Sequence, residues 1–357
     1  MLRNKSSKAS FKGQTIHIGI DNHKKDNQLT FYLNGERLQT VRRPSSGTQI
    51  LDYLHTNFPD AIYKSAYEAG FSGFSLHRYL QENGVDNIVV HPADIPKSDK
   101  DRDQKTDKRD ANQIAKCLAV GLLQGIYVPS RDQQAIRDLV RQRKSLVKAL
   151  TAIKCRIRMW FYFVGQPLSS AYANDGWSNR FVTYLDNLQI SHPIGKAVLS
   201  MFLDQLKQYR QWLLQVNRTL RHLSKEPQYH TNYNLLLSVS GIGMVGAWTI
   251  LSEIGDTTRF RKESQLISYA GLRNNSNDSG EKQSNGRITR RCNQRLRVQL
   301  IESAWIAVRT DPALALFFQK QKERKHKNKA IICVARKLLC RIRAVLKNQT
   351  RYERGLA

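Results

Sequence analysis

Two short runs of β-branched and apolar residues in the first third of the sequence carry an acid at or near their end. Residues 14–22 contain Asp21, and residues 61–68 end at Glu68. Between them, Asn34-Gly35 follows an apolar run, and this dipeptide is the strongest short signal for a hairpin. The other predicted elements are strands over 29–33, 37–42 and 87–91, a helix over 47–57 and a helix that ends near residue 83. This order predicts an α/β domain in which helices flank a sheet.

A pair of acids marks the start of a further helix. Asp107 and Asp110 stand three residues apart where an apolar helical pattern begins, so both carboxylates share one face. Acids are also common in a first helical turn because they favour the positive end of the helix dipole. The element order, however, is typical of a ribonuclease H-like sheet, in which acids from strand ends and a helix converge. We therefore interpret Asp21, Glu68, Asp107 and Asp110 as one quartet, whose mutual repulsion predicts bound Mg²⁺, with two ions.

The charge balance predicts a polyanionic partner. Lys and Arg number 58 against 29 Asp and Glu, which gives a net charge of +29. Nucleic acid is the leading candidate; a membrane surface is the alternative, but no apolar run approaches the roughly 18 residues of a spanning helix. Five cysteines without C-x-x-C spacing indicate reduced thiols and a cytoplasmic protein. Residues 1–13 are interpreted as a flexible basic arm, because they lack the apolar segment of a secretory signal.

Two long amphipathic patterns occupy the middle of the chain. Apolar residues recur at steps of three, four and seven over 131–163 and again over about 195–223, with Lys and Arg between them. Two such seams predict an antiparallel coiled coil or an oligomer interface. The link between them, over about 165–192, contains glycine, proline and asparagine and is predicted to be rich in loops.

The last third is strongly basic. From Arg259 to Lys347 there are 22 Lys and Arg against 6 Asp and Glu, which predicts a phosphate-contacting surface, with a merely solvated basic face as the alternative. Gly241-Ile242-Gly243 predicts a turn between helices whose amides can approach a phosphate, as in helix-hairpin-helix modules. A polar loop over 273–287 contains Ser279-Gly280. Loops of this length are often functional, although the residues alone slightly favour a flexible solvent loop.

The order and spacing of these short segments resemble the DEDD-type transposases of the insertion sequence 110 group, which includes RNA-guided bridge recombinases and is related to pilin-gene invertases. The match covers nearly the whole chain. Its anchors are Gly19-Ile20-Asp21-x-x-Lys24, Tyr67-Glu68-Ala69-Gly70, Lys105-Thr106-Asp107-x-x-Asp110-Ala111, Gly241-Ile242-Gly243, Glu253-Ile254-Gly255-Asp256 with Arg259-Phe260, Tyr269-Ala270-Gly271-Leu272, Ser279-Gly280, Gly286-Arg287-Ile288 and Ala335-Arg336-Lys337-Leu338-Leu339.

The resemblance implies an α/β plus α fold: a RuvC-like (ribonuclease H-like) catalytic domain over 14–128, an antiparallel coiled-coil and oligomerisation region over 129–230, and a mostly helical transposase domain over 231–357. It implies that the acidic quartet binds Mg²⁺ and that Ser279 attacks the scissile phosphate, giving a covalent serine–DNA link. It also implies double-stranded target and donor DNA, a structured bridge RNA, a dimer to tetramer, and a bacterial, nucleoid-associated location. The nucleic-acid contacts expected on this basis are Lys24, Gly241, Gly243, Arg287, Arg290, Arg291 and Lys337.

The sequence departs from the family pattern at a few positions. Ser240 and Asn274 stand where the family usually has proline, Cys292 where it has glycine, and Cys155 where it commonly has asparagine. None of these removes an expected catalytic group. Two other functions stay open: a metal-dependent nuclease of the Holliday-junction kind with water as the nucleophile, and a non-catalytic nucleic-acid-binding protein.

Overall fold

The computed structural model describes residues 10–96, 106–172, 176–279, 282–289 and 291–355, with the backbone alone for 274–279 and 282–287. Contacts divide the chain into two units, Met1–Val128 and Pro129–Ala357. Within the described ranges, no helix is long and apolar enough to cross a lipid bilayer. The division of the second unit into a coiled-coil region and a transposase domain stays a prediction.

The first unit is built on a mixed five-stranded sheet. Its strands are β1 (Thr15–Asn22), β2 (Asp26–Leu33), β3 (Glu36–Pro44), β4 (Ile62–Glu68) and β5 (Asp86–Val90). Their spatial order is β3-β2-β1-β4-β5, and β1 pairs antiparallel with β2 and parallel with β4. Asn34 and Gly35 both have positive φ angles, 49° and 84°, which confirms the predicted hairpin turn. The arrangement is consistent with the predicted nuclease-like domain.

Helices cover both faces of this sheet. They are α1 (Gly47–Asn57), α2 (Ser75–Glu82) and α3 (Asp107–Ala119). On one face, Ile18 of β1 packs with Leu54 of α1 and Leu80 of α2, all fully buried. On the other, Ala66 of β4 packs with Ile114 of α3. Because side chains alternate along a strand, each face of the sheet receives every second residue of β1 and β4.

The described part of the second unit is helical apart from one hairpin. Its helices are α4 (Arg131–Phe163), α5 (Asn179–Asn187), α6 (Pro193–Leu223), α7 (Pro227–Ser238), α8 (Met244–Ile254), α9 (Glu263–Tyr269), α10 (Gln294–Thr310), α11 (Pro312–Lys322) and α12 (Lys327–Asn348). The hairpin strands are β6 (Asn274–Ser279) and β7 (Lys282–Ile288). A core that includes the fully buried Trp248 joins α8, α10 and α12.

The two long helices pack side by side in opposite directions. Ile157 near the end of α4 shares a core with Leu203 in the first half of α6. Val140 near the start of α4 belongs to the same core as Leu220 near the end of α6. The link predicted to be rich in loops contains α5, whose Phe181 is buried in the first of these cores. Coiled-coil packing and an oligomer interface stay predictions.

Within the polar segment over 273–287, predicted as a loop, the described residues form the antiparallel strands β6 and β7 instead. Their register includes Ser279 opposite Lys282. Hydrogen bonds between the two backbones hold these strands together. Their mostly polar residues lack the alternation of apolar and polar residues from which a strand is predicted. The helices on either side of the hairpin are α9, which ends at Tyr269, and α10, which begins at Gln294.

Candidate metal centre

Asp21 and Glu68 lie side by side at the carboxyl ends of two parallel strands. Ile20 of β1 pairs in register with Tyr67 of β4, so the next residue of each strand falls on the opposite face, and the two acids share that face. Gly19, two residues before Asp21, contacts α3 directly. Both acids therefore lie on the face of the sheet that α3 covers.

The helix α3 crosses β1 in direct backbone contact at Gly19. A Cβ atom at residue 19 would lie 2.1 Å from the carbonyl oxygen of Ala111 and 2.4 Å from the amide nitrogen of Ala115. No side chain fits at these distances, so only glycine lets the helix come this close. The contact brings the first turn of α3 to the end of the strand that carries Asp21.

The first turn of α3 is fixed by its N-cap. The side-chain oxygen of Thr106 accepts a hydrogen bond from the backbone amide of Arg109 at 3.4 Å, and its carbonyl accepts from the amide of Asp110 at 3.0 Å. Thr106 is thus the N-cap that holds a helix start in one conformation. Asp107 and Asp110, the acids predicted for this turn, are consequently placed on a defined backbone.

His23 lies between Asp21 and Asp107. Its Nδ1 atom is 3.7 Å from Oδ2 of Asp21, and its Nε2 atom is 3.8 Å from Oδ1 of Asp107. One ligand atom from each of the three residues lies within 4.8 Å of the others. The side chain of Asp21 is 20% exposed and that of Asp107 is 65% exposed. The group is therefore anchored on the strand and open to solvent at the helix.

The three side chains fit a divalent cation. Carboxylate oxygens are the ligands that Mg²⁺ prefers, and imidazole nitrogen is a good ligand for the softer divalent metals. Bonds of about 2.0–2.1 Å to Mg²⁺ set ligand–ligand separations of about 3 to 4.2 Å. One ligand atom from each residue lies within 4.8 Å of the others, which is close to that range. Asp21, His23 and Asp107 can therefore hold one ion together.

Glu68 and Asp110, the other two predicted acids, lie outside this 4.8 Å group. Glu68 is partly buried at the end of β4, one strand spacing from Asp21. Asp110 is partly buried one turn after Asp107. The structure thus joins two of the four predicted acids with a histidine and sets the other two beside them. The role of all four as metal ligands stays a prediction.

His23 is absent from the sequence-based prediction. It follows Asp21 by two residues and occupies one of the two positions that the predicted pattern leaves open before Lys24. Imidazole is a common metal ligand, so the acid-x-histidine spacing was the available signal. The distance to Asp107 could not be read from it, because Asp107 is 84 residues further along the chain.

The glycines predicted to approach phosphate have different surroundings. Gly241 has a φ of 83°, and a Cβ there would lie 2.2 Å from the carbonyl oxygen of Ser303 on α10. Packing against α10 therefore requires this glycine. Gly243 is the N-cap of α8 and has open space where a Cβ would stand. Phosphate contact at both glycines stays a prediction.

The basic residues predicted to contact nucleic acid belong to both units and have different local surroundings. Lys24 lines a cavity beside the metal centre, and Lys337 of α12 stands 4.8 Å from the centre of the Phe317 ring. Arg291 is exposed next to the hairpin. The remaining predictions fall outside what the structure describes, namely the whole of Arg290 and the side chains of Ser279 and Arg287.

Both ends of the β6–β7 hairpin are held by arginines from neighbouring helices. Arg336 of α12 donates two hydrogen bonds to the carbonyl oxygen of Leu272, at 3.1 Å from Nε and 2.6 Å from Nη2. Arg297 of α10 donates to the carbonyl oxygen of Thr289. The chain segments that enter and leave the hairpin are therefore fixed to the helical core of the second unit.

Two family models match the chain. One for DEDD-type IS110 proteins, described as Transposase, matches residues 18–162, and one described as Transposase IS116/IS110/IS902 family matches residues 233–319. The protein y4rJ of Sinorhizobium fredii is 30% identical over 312 residues, which cover 79% of this chain and 76% of the relative. The chain belongs to the IS110 family of transposases. The family resemblance found in the sequence is thereby confirmed.

Other relatives of this IS110-family chain are similar over shorter parts. The protein y4qE of Sinorhizobium fredii is 30% identical over 239 residues, which cover 67% of this chain and 57% of y4qE. The transposase for insertion sequence element IS1533 of Leptospira borgpetersenii is 24% identical over 246 residues, which cover 68% of this chain and 70% of the relative. The match to y4qE therefore spans little more than half of that protein.

Proposed function

We propose that this IS110-family protein cuts and rejoins DNA phosphodiester bonds at a metal centre in its first unit. The observation that carries the proposal is the approach of Asp107 on α3 to Asp21 and His23 at the end of β1, with ligand atoms within 4.8 Å of one another. Metal-assisted phosphoryl transfer requires clustered ligands that hold divalent cations, and here they come from a strand end and a helix start. Membership of a transposase family supports DNA as the substrate.

In this proposal the acidic quartet binds two Mg²⁺ ions. When bound, these ions supply Lewis-acid stabilisation of the charge that develops on the phosphate and on the leaving oxygen. Asp21 and Glu68 are kept in place by strand pairing, and Asp107 and Asp110 by the capped first turn of α3. His23 adds an imidazole from the same strand end. Ligands fixed in this way need little rearrangement during the reaction.

The hydroxyl group of Ser279 is the nucleophile that attacks the scissile phosphate of DNA. Its Oγ atom bonds to the scissile phosphorus while the bond from phosphorus to one deoxyribose oxygen breaks, so one strand end is held as a phosphoserine ester. The serine proton is given up as the new bond forms, and the released deoxyribose oxygen takes up a proton. Because one phosphoester bond replaces another, the reverse reaction with a different strand end rejoins DNA. The fixed hairpin ends at Leu272 and Thr289 support a defined position for this serine.

Trapping of covalent complexes tests the nucleophile. DNA that carries the ends of the encoding element is incubated with the full chain, its copurified nucleic acid and Mg²⁺, and SDS-resistant protein–DNA complexes are measured on gels. The unmodified chain is expected to form them and Ser279→Ala to form none. The matched variant Ser284→Ala, on strand β7, is expected to form them normally. Complexes in undiminished yield from Ser279→Ala would refute the role of Ser279.

Hydrolytic cleavage is the second candidate, and one feature of the centre favours it. The group of Asp21, His23 and Asp107 lies wholly within residues 1–128 and contains no hydroxyl nucleophile, which suits a metal-dependent nuclease that uses water. On this alternative, Ser279→Ala still cuts DNA without forming covalent complexes, whereas Asp107→Asn abolishes cutting. If Ser279→Ala loses both cutting and covalent complexes, the serine mechanism is supported and hydrolysis is excluded.

The proposal includes a structured bridge RNA and an assembly of two to four chains in the bacterial cytoplasm, acting on target and donor DNA. The net charge of +29 supports a large polyanionic partner. Sequencing of the nucleic acid that copurifies with the expressed chain tests the RNA. A single structured RNA encoded beside the gene is the expected result, and random cellular RNA would contradict the guided mechanism. Light scattering of the purified complex gives the number of chains.

A further inference from the structure

A cavity of about 470 Å³ lies beside the metal centre, at the same edge of the sheet. Its walls come from the turn after β1, the turn before α1, and the loop that follows β4 and leads into α2. His23 is shared by the cavity and the metal centre. A group bound in this cavity would therefore lie next to a phosphate held at the metal centre.

The lining of the cavity combines one cation, several hydroxyl groups and an exposed aromatic ring. Lys24 supplies the charge, and Ser45, Ser72 and Tyr79 supply hydroxyl groups. Phe71 lies at the rim with 75% of its surface exposed. The volume falls within the range of about 300–1,000 Å³ that small-ligand pockets have. A planar base with an attached sugar and phosphate matches this combination of groups.

One wall of the cavity, at Gly47 and Tyr79, is firmly packed. A Cβ on Gly47 would lie 2.2 Å from the ring of Tyr79, so the glycine allows the ring to lie against the chain before α1. The hydroxyl of Tyr79 also shares a hydrogen bond of 3.1 Å with that of Thr48. This wall of the cavity is therefore formed before any ligand binds.

The loop that carries Phe71 is fixed at both ends. The amide of Ala69 donates to the carbonyl oxygen of Val90 at 2.8 Å, which extends the sheet just past Glu68. The buried hydroxyl of Tyr67 donates to the carbonyl oxygen of Gly73 at 2.8 Å, and Gly73 has a φ of 62°. An exposed aromatic side chain on a preformed turn is suited to stacking, because little conformational freedom is lost on binding.

We propose that this cavity binds one unpaired base of the substrate DNA strand next to the scissile phosphate, with the base stacked on Phe71 and a flanking phosphate near Lys24. The inference rests on the proposed function, because the metal centre defines where the scissile phosphate lies. An unpaired base is required since a base inside a duplex has both of its faces covered by its neighbours. The subsite therefore selects DNA that is locally unpaired at the cut.

A fluorescence titration tests the subsite without any cleavage. The probe is a thymidine oligodeoxynucleotide with one central 2-aminopurine, and Ca²⁺ replaces Mg²⁺ so that the probe stays intact. The full chain is expected to change the 2-aminopurine fluorescence on binding. Phe71→Ala should weaken binding about ten- to a hundredfold, the usual effect of losing one stacked base. Phe71→Trp should restore it, and Leu122→Ala, an exposed apolar residue beyond the far end of α3, should not change it.

Several outcomes would overturn the proposal. Unchanged binding by Phe71→Ala, no fluorescence change with the unmodified chain, or equal dependence on Phe71 for the same probe in a perfect duplex would each exclude an unpaired base at this site. Stronger dependence on Phe71 for the matching RNA oligonucleotide would assign the cavity to RNA and overturn the DNA assignment. Failure of the metal centre on which this inference rests gives a different result, because the unmodified chain would then not cut DNA with Mg²⁺, or Asp107→Asn would still cut it, whatever Phe71→Ala does to binding in Ca²⁺.

Discussion

Gly19 of β1 and Ala111 of α3 are in backbone contact, and a Cβ on the glycine would lie 2.1 Å from the alanine carbonyl oxygen. The contact sets how far the first turn of α3 reaches along β1. Two residues beyond Gly19 the strand presents Asp21, and four residues before Ala111 the helix presents Asp107. The geometry of the candidate metal centre is therefore decided by a contact that includes none of its three candidate ligands.

Gly19→Ala should damage the metal centre and the fold together. The added methyl group has no space, so α3 must move away from β1, at a cost of about 3 kcal/mol in the free energy of unfolding. Urea denaturation measures the loss, and calorimetric titration with Mn²⁺ is expected to give weaker binding. Gly176→Ala is the matched control, because a Cβ there meets nothing within 4 Å. Full stability and normal Mn²⁺ binding in Gly19→Ala would contradict the role of this contact.

Divalent metal affinity should depend on His23 as well as on the acids. Asp21→Asn and Asp107→Asn each remove one ligand charge, and His23→Gln removes the imidazole between them. Each change is expected to weaken Mn²⁺ binding by about tenfold or more, measured by calorimetric titration. Asp52→Asn, an exposed acid on α1, should bind Mn²⁺ as the unmodified chain does. Normal affinity in His23→Gln would exclude the histidine from the ligand set.

Glu253 should be essential for the stability of the second unit. Its side chain is 2% exposed and accepts two hydrogen bonds of 3.1 Å from Arg141, and Arg137 lies 3.5 Å away. Glu253→Gln leaves two arginines facing a neutral group, so we expect a loss of about 3 kcal/mol in the free energy of unfolding. Urea denaturation followed by tryptophan fluorescence measures it. Glu302→Gln, at an exposed site on α10, should change the value by less than about 0.5 kcal/mol.

Glu253 also accepts hydrogen bonds from residues at the base of the β6–β7 hairpin, which carries Ser279. Its carboxylate accepts a hydrogen bond of 2.9 Å from Asn293, and its backbone carbonyl accepts one of 2.9 Å from the hydroxyl of Tyr269. Tyr269 precedes the hairpin and Asn293 follows it. The backbone amide of Asn293 donates a hydrogen bond of 2.8 Å to the carbonyl oxygen of Tyr269. A stability loss confined to Glu302→Gln, with none in Glu253→Gln, would contradict this account of the buried network.

Cysteine alkylation at pH 8 should follow burial. Burial, with Glu263 adding to it, raises the pKa of Cys340 to about 11, and burial also raises the pKa of Cys117. Because the thiolate is the reactive form, only roughly one in a thousand Cys340 side chains is ionised and able to react at pH 8. Cys155 is exposed and is expected to react first with iodoacetamide, as followed by peptide mass spectrometry. In urea all five cysteines should react alike; equal rates for Cys340 and Cys155 in the folded chain would contradict the prediction.

Local sequence signals were enough to predict the order of strands and helices along the first unit. The hairpin at Asn34-Gly35, the helix over 47–57 and the long helix over 131–163 have the predicted positions. Turn residues and apolar periodicity act within a few residues of each other, so these elements can be read directly. The short helix α5 and the hairpin β6–β7 were harder, because one lies in a segment with many loop-forming residues and the other is held by backbone pairing of polar residues.

The sequence by itself determined the carboxylates at strand ends and at a helix start, the strongly basic surface and the family to which the chain belongs. Only the tertiary structure decided which of these groups meet. His23 lies between Asp21 and Asp107 because Gly19 lets α3 pack directly on β1. Glu253 forms a buried ion pair because α8 packs against α4, whose Arg141 lies 112 residues earlier in the chain. Local propensities fix each element, whereas contacts between distant segments depend on packing, which no short window of sequence contains.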